Sequence, residues 1–189
     1  MKNIRLLFVP GIHTPKWYVK WWKKDIHNHF SDIDSIFLDD VVYYYWQHEI
    51  LEDIVQEGTR ILRDGRPTII LAHSFGGILA KSMIARSRGN ISFFLTMATP
   101  HTMTYVGIHR AKKYISAPET VAVPAESMGG FFDPVVPFFL SRLPGAHRHT
   151  NLFCEHMSFL WAPWVRQRVI RHIRENGNSF LGTSNTNST

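Results

Sequence analysis

The sequence has little that would cross-link the chain or anchor it in a membrane. It contains one cysteine, Cys154, which excludes an intramolecular disulfide framework and a multi-cysteine zinc site. No apolar run reaches the roughly 18 residues that a membrane-spanning helix needs. No signal-peptide pattern surrounds the first apolar run, so we expect a cytoplasmic protein. The remaining composition is typical of a globular domain, with 189 residues, 44% hydrophobic, 19% charged and a net charge of +6.

Short apolar runs alternate with longer segments of helical periodicity. The runs predict six strands, at 4–9, 35–38, 68–72, 91–97, 120–123 and 147–152. The segments between and after them predict helices at 15–30, 47–64, 76–87, 102–116, 134–143 and 163–176. The first four runs are almost continuously apolar, which is typical of strands covered on both faces. This alternation predicts a single α/β domain over residues 1–176, with a mainly parallel six-stranded sheet and helices on both faces.

The composition changes after the last predicted helix. Residues 177–189, GNSFLGTSNTNST, carry no charge and have few side chains to bury. Such a segment cannot offset the entropy cost of ordering, so it predicts a disordered C-terminal tail.

A serine lies at a predicted strand-to-helix turn in the segment LAHSFGG, residues 71–77. A turn of this kind presents the hydroxyl of Ser74 at the edge of the sheet, where it can act as a nucleophile. The chain nearly touches itself there and needs small residues two positions to either side, which here are Ala72 and Gly76. The simpler interpretation is that Ser74 only caps a helix. The apolar run before it and the helical pattern after it favour the nucleophile.

Three further segments accompany the serine segment: VPGIHT at 9–14, GGFFDPVVP at 129–137 and CEHMSFL at 154–160. Together the four segments resemble the α/β-hydrolase family in content and in order. The likeness is to its smallest lidless members, which include compact bacterial lipases and small retinoblastoma-binding-protein-like serine hydrolases. It covers about residues 4–175. The chain departs from the usual pattern at Ala72, where the family commonly has glycine.

The resemblance implies a catalytic triad and an oxyanion hole. The family's Gly-x-x-Asp-x-x-Val-Pro pattern assigns the acid to Asp133, and the loop after the last strand assigns the base to His156. Backbone amides of Phe75, directly after the nucleophile, and of Ile12, in the turn after the first strand, would bind the oxyanion. The resemblance implies no metal and no cofactor.

The expected strand order supports the pairing of these turns. In a doubly wound sheet of order 2-1-3-4-5-6, ligands bind where the order reverses, between the first and third strands. Those two strands lead into Gly11-Ile12 and into Ser74, so the two turns are expected to meet at one site.

Other acidic residues compete for the role of the acid. Asp133 itself also suits a helix cap, because it directly precedes Pro134. Glu126 and Glu155 are alternative acids. Asp39-Asp40 resembles a ribose-binding position, but no Gly-x-Gly-x-x-Gly follows the first strand, which excludes dinucleotide binding.

Eleven histidines compete for the role of the base. His149 is the second choice after His156, while His101 precedes the acid and so falls out of order. The others near the predicted site are His13, His73 and His147.

Two segments bear on specificity and partners. Residues 101–118 stand where larger relatives insert a cap domain, and the predicted helix at 102–116 could act as a small lid or pack on the sheet. The predicted helix at 15–30 has a basic face with Lys16, Lys20, Lys23, Lys24 and His27, flanked by Trp17 and Trp21. This face suits an anionic membrane surface, although an ordinary solvated face is the simpler interpretation. No recognition motif accompanies it, so we expect no nucleic-acid binding.

The sequence therefore predicts a serine hydrolase of the esterase or lipase type, which forms an acyl-enzyme with a small-molecule ester. A thioesterase, amidase or peptidase would use the same triad. A third alternative is a catalytically silent hydrolase fold that serves as a binding module. The acyl-chain length and the oligomeric state stay open.

Overall fold

A six-stranded sheet forms the centre of the computed structural model, which describes residues 4–12, 14–31, 33–38, 48–101 and 117–180. The strands are β1 (Arg5–Val9), β2 (Asp34–Phe37), β3 (Thr68–His73), β4 (Ile91–Met97), β5 (Ala125–Gly130) and β6 (Arg148–Leu152). Their spatial order is β2-β1-β3-β4-β5-β6, and every neighbouring pair is parallel. The predicted α/β fold with six strands in this order is confirmed, and the sheet is parallel throughout.

Helices cover both faces of the sheet. They are α1 (Lys16–His29), α2 (His48–Leu62), α3 (Gly76–Ser87), α4 (Ser158–Trp161) and α5 (Pro163–Phe180), with a short 3-10 helix at Phe138–Leu140. In β1, Leu7 and Val9 belong to a core cluster that includes α2 and α3. Leu6 and Phe8 belong to a second cluster, with α1, α4 and α5. Successive strand residues face opposite sides, so a strand covered on both faces is apolar at every position.

The fifth strand does not lie where the sequence predicts it. Residues 120–123 are irregular, and β5 follows them at Ala125–Gly130. Its sequence, AESMGG, has no apolar run. The strand tolerates buried polar side chains because they have hydrogen-bond partners elsewhere in the fold. The carboxylate of Glu126 lies 2.5 Å from Nε2 of His172, and the N–H of Leu143 donates to Oγ of Ser127. These partners are remote in sequence, so a local pattern does not reveal the strand.

The predicted helix at 134–143 is wrong, since this segment holds only the 3-10 helix Phe138–Leu140. The α region is disfavoured for Val136 because it precedes Pro137. Instead, Oδ1 of Asp133 accepts hydrogen bonds from the N–H groups of Val135 and Val136, at 2.8 and 2.7 Å, and closes a turn.

The last helix continues beyond its predicted end. It ends at Phe180, so residues 177–180 are helical and not part of the predicted tail. A glycine costs a helix about 1 kcal/mol, which does not end a helix whose apolar face is packed. Residues 181–189 and the predicted helix at 102–116 lie outside the described residues. Within the described ranges, no helix combines the length and the apolar character needed to cross a membrane.

Candidate active site

Ser74 lies in a tight turn between β3 and α3. Its φ of 53° is in the left-handed region, which costs a non-glycine residue about 1–2 kcal/mol. Two hydrogen bonds hold the turn: Ser74 N–H donates to the carbonyl of Met97 at 2.8 Å, and Gly77 N–H donates to the carbonyl of Ser74 at 3.1 Å. The turn leaves Ser74 half-buried at the carboxyl edge of the sheet.

Glycines allow the chain to turn this tightly. A Cβ added to Gly76 would overlap the carbonyl oxygens of Val9 and Pro10. A Cβ added to Gly11 would lie 2.8 Å from Cβ of Ser74. The turn after β1 is therefore packed directly against the turn after β3, with no space for another methyl group between them.

Ser74, His156 and Asp133 form a continuous chain of contacts, and we refer to these three residues as the triad. Nε2 of His156 lies 3.0 Å from Oγ of Ser74, and Nδ1 of His156 lies 2.7 Å from Oδ2 of Asp133. When Asp133 is ionised, Nδ1–H of His156 donates to it, which leaves Nε2 to accept the hydroxyl proton of Ser74. His156 and Asp133 are buried. An imidazole held in this way can take the hydroxyl proton as the oxygen attacks an electrophile.

The two carboxylate oxygens of Asp133 have separate partners. Oδ2 faces His156, while Oδ1 accepts the N–H groups of Val135 and Val136. The N–H of Asp133 also donates to the carbonyl of Gly130 at 3.2 Å, which ties the turn to the end of β5. One side chain therefore both pairs with the histidine and closes a turn. The interpretation of Asp133 as a helix cap is wrong, because residues 134–137 are not helical.

Glu155 holds the loop that carries His156. Its carboxylate accepts hydrogen bonds from Met157 N–H at 2.8 Å and from Ser158 Oγ and Trp161 Nε1 at 3.0 Å each. Burial acts to raise the pKa of Glu155, but these hydrogen bonds outweigh it and the pKa is lowered. An ionised Glu155 thus connects both ends of α4 to the loop.

His73 contacts the backbone of the same loop. Its Nε2–H donates to the carbonyl of His156 at 3.1 Å, and the two ring centroids are 4.9 Å apart. Burial, together with the neighbouring His156, holds the pKa of His73 well below its ordinary value, so His73 is a neutral, fixed donor. The sequence does not predict the supporting roles of His73 and Glu155, because both depend on how distant segments pack. The only local signal is their position directly before a triad residue.

The other candidate acids have different partners. Glu126 pairs with His172 on α5, and Glu155 caps its own loop. Asp39-Asp40 lies outside the described residues. In the part of the chain that the structure describes, the carboxylate bonded to the imidazole of the triad is that of Asp133.

The other candidate bases also bond elsewhere. Nδ1 of His149 lies 2.8 Å from Oγ of Ser127, and its Nε2 lies 2.9 Å from Oδ1 of Asn151. Nε2 of His101 lies 2.8 Å from Oγ1 of Thr96. Burial lowers the pKa of each side chain. Both imidazoles therefore have hydrogen-bond partners outside the triad.

The turn after β1 lies at the same edge of the sheet as Ser74. The ends of β1 and β3 are in register, so Ile12 follows β1 where Phe75 follows the nucleophile. The contact between Gly11 and Ser74 joins the two turns. The role of Ile12 and Phe75 as oxyanion donors stays a prediction, and His13 lies outside the described residues.

Several solved structures share this fold at low sequence identity. A protein named as a YdeN-like hydrolase from Pectobacterium atrosepticum has a TM-score of 0.67 and 17% identity, over 95% of this chain and 93% of that one. A protein named as a hydrolase of the alpha/beta superfamily from Xanthomonas campestris has a TM-score of 0.67 and 14% identity, over 94% and 99%. A thermophilic esterase from Thermogutta terrifontis has a TM-score of 0.63 and 12% identity, over 94% and 90%.

These likenesses establish the fold. No protein-family model and no curated protein matches the sequence. The chain has the α/β-hydrolase fold, in agreement with the resemblance of its four segments.

Proposed function

We propose that the protein is a serine hydrolase that cleaves carboxylic esters through a covalent acyl-enzyme. The observation that carries the proposal is the triad, with Ser74 at a strained strand-to-helix turn and His156 between its hydroxyl and Asp133. Solved structures with this fold include proteins named as hydrolases and esterases, which supports the same class of reaction.

In the first step, Oγ of Ser74 attacks the ester carbonyl. Nε2 of His156 lies 3.0 Å from that oxygen and takes its proton as the new C–O bond forms. The imidazole then carries a positive charge, which the carboxylate of Asp133 at 2.7 Å stabilises. The hydrogen bonds of Val135 and Val136 to Asp133 keep the carboxylate oriented during this change.

The carbonyl oxygen becomes negative in the tetrahedral intermediate. We assign its stabilisation to the backbone amides of Ile12 and Phe75, which lie in the two turns packed together at Ser74. Removing one such donor typically costs about 3 kcal/mol of barrier.

The intermediate then collapses. His156 returns the proton to the departing alkoxide, which leaves as the alcohol, and the acyl group stays on Ser74. Water enters, loses a proton to His156 and attacks the acyl-enzyme. The second tetrahedral intermediate then collapses: the bond between the acyl carbon and Oγ of Ser74 breaks, His156 returns the proton to Oγ, and the carboxylic acid leaves.

Hydrolysis of a series of nitrophenyl esters with increasing acyl length tests the proposal, with one matched thioester and one anilide. We expect turnover of the esters by the wild type and a loss of at least about 10⁴-fold in Ser74→Ala. The control is Ser87→Ala at the other end of α3, where the hydroxyl bonds the carbonyl of Ile84. Hydrolysis by Ser74→Ala at a rate close to that of the wild type would contradict the proposal, and a faster thioester or anilide would reassign the substrate class.

A further inference from the structure

The loops that carry the triad also present a cluster of phenylalanines, which we call the aromatic patch: Phe131, Phe132, Phe138, Phe139 and Phe153. Phe138 is half-buried and the other four are exposed. Phe132 and Phe153 are 64% and 76% exposed. Both rings contact that of Phe131, with centroid distances of 5.3 Å for Phe131–Phe132 and 5.6 Å for Phe131–Phe153. Phe138 stacks on Phe131 at 5.2 Å and contacts Phe139 at 5.6 Å. A continuous exposed apolar surface of this kind marks an interaction site.

The backbone under the aromatic patch is well connected. The N–H of Phe131 donates to the carbonyl of Leu152 at 2.8 Å, and that of Phe132 donates to the carbonyl of Cys154 at 3.1 Å. These hydrogen bonds join the loop that carries Asp133 to the loop that carries His156. The exposed rings therefore stand on the framework that positions Asp133 and His156, at the edge of the sheet where Ser74 lies.

Positive charge borders the aromatic patch. An open groove of about 430 Å³ beside Phe153 is lined by Asn151, Leu152, Phe153, Trp164, Gln167, Arg168 and Arg171. Trp164 is 55% exposed, and Arg168 and Arg171 are exposed on the same helix, α5. Among these described lining residues there is no carboxylate, so the groove favours an anion.

A second group of exposed aromatic and basic residues lies on α1. Trp17 and Trp21 are exposed and in edge-to-face contact at 4.9 Å, next to the exposed Lys20 and Lys24. The acidic residue of this helix, Asp25, is bound by Arg166 of α5 at 2.6 Å. The aromatic patch with its groove and this group on α1 both expose aromatic rings beside cationic side chains.

We propose that the aromatic patch and the groove beside it dock on an anionic lipid bilayer. The phenylalanine rings would enter the boundary between headgroups and acyl chains, and Arg168 and Arg171 would lie against phosphate groups. Charge complementarity favours lipid over a second copy of the chain. A symmetric dimer through the patch would bring the arginines that border it on each copy close together.

This docking goes beyond the proposed hydrolysis, because binding needs no turnover. It would also turn the edge that holds Ser74 toward esters at the surface of the bilayer. Binding is measured with the Ser74→Ala variant as well as the wild type, so its outcome does not depend on the hydrolase activity.

Sedimentation with vesicles of phosphatidylcholine, with and without phosphatidylglycerol, tests the proposal. We expect the wild type and Ser74→Ala to bind equally, better to the anionic vesicles, and to be released by salt. The double variant Phe132→Ser/Phe153→Ser should lose about tenfold or more of its partition coefficient on the anionic vesicles. Arg168→Gln/Arg171→Gln should lose about tenfold on anionic vesicles and little on neutral ones.

The matched control is Arg60→Gln/Arg63→Gln, which removes the same charge from two exposed residues, one in the last turn of α2 and one directly after it. We expect it to bind within about twofold of wild type, which separates local contact from net charge. If the double phenylalanine variant does not fold, Phe153→Ser alone removes the most exposed ring.

Absence of wild-type binding to anionic vesicles would overturn the proposal, as would variants of the patch that bind like wild type. A wild-type dimer that Phe132→Ser/Phe153→Ser converts to a monomer would instead make the patch an interface between copies.

Discussion

The turn that carries Ser74 and the loop that carries His156 are neighbours, yet they differ in what limits their shape. The serine turn has two backbone hydrogen bonds but no space for an added atom, because Gly76 fits against two carbonyl oxygens and Gly11 lies against Ser74. The histidine loop is held by polar contacts from Glu155 and His73. When one atom is added to a tight steric fit, the backbone has to shift. When one partner is removed from a hydrogen-bonded loop, the loop loses only part of its stability. The predictions that follow test this difference.

The largest effect is expected from the two residues that exchange the proton. Ser74→Ala and His156→Ala should each lower kcat for ester hydrolysis by roughly 10⁴–10⁶-fold, and the double variant should be scarcely worse, since the two act as a unit. Kinetics of the three variants checks this. His149→Ala is the control and should stay within about threefold of wild type, because its ring bonds Ser127 and Asn151. Additive losses would show that the two residues do not cooperate.

The next effect concerns Asp133, whose carboxylate contacts both His156 and the backbone of its own turn. Asp133→Asn can still cap the turn with its side-chain oxygen, but it no longer offers a carboxylate to His156. We expect kcat to fall about 10³–10⁴-fold, as in other triads, with a thermal midpoint within a few degrees of wild type. A loss of stability as large as that of Asp133→Ala would mean that the capping contact is not preserved.

A smaller effect is expected from a single methyl group in the serine turn. Gly11→Ala places a Cβ 2.8 Å from that of Ser74, so one of the two turns has to shift. A shift of this kind should lower kcat/KM about 10–100-fold. Ala72→Gly is the control, since it removes a methyl group near the same turn instead of adding one. If Gly11→Ala is as active as Ala72→Gly, the steric account of the turn is wrong.

The smallest effect is expected from Glu155→Gln in the histidine loop. The lost charge-assisted hydrogen bonds should lower stability by about 1 kcal/mol and kcat/KM by a few fold. Because the folded pKa of Glu155 is lowered, its contribution is full above the ordinary pKa of a glutamate, about 4.5, and is lost as the pH falls through the folded pKa.

Thermal unfolding of wild type and Glu155→Gln across this pH range checks the last prediction. The difference in Tm should be constant at neutral pH and shrink below about pH 4.5. Glu57→Gln is the control, since Glu57 pairs with Arg60 at the surface and contributes little. A difference that does not change with pH would assign Glu155 a packing role only.

The same contrast explains how much could be predicted from the sequence. The strands β1, β3 and β4 are apolar at nearly every position, so the local sequence alone predicts that they are buried. The order of the motifs also led to Ser74, Asp133 and His156, which the structure brings together. In contrast, β5 is stabilised by partners such as His172, remote in sequence, and the local pattern predicts the strand at 120–123 instead of Ala125–Gly130. The local pattern does not predict the supporting contacts of Glu155 and His73, because they depend on tertiary packing.

The central claim is that Ser74 is a nucleophile activated by His156, and labelling with a fluorophosphonate probe tests it most directly. The account predicts one covalent adduct per folded wild-type chain, on the peptide that contains Ser74, and no adduct in Ser74→Ala. Labelling of His156→Ala should be slower by several orders of magnitude. Folded wild-type protein that stays unlabelled, or an adduct on another residue, would contradict the account.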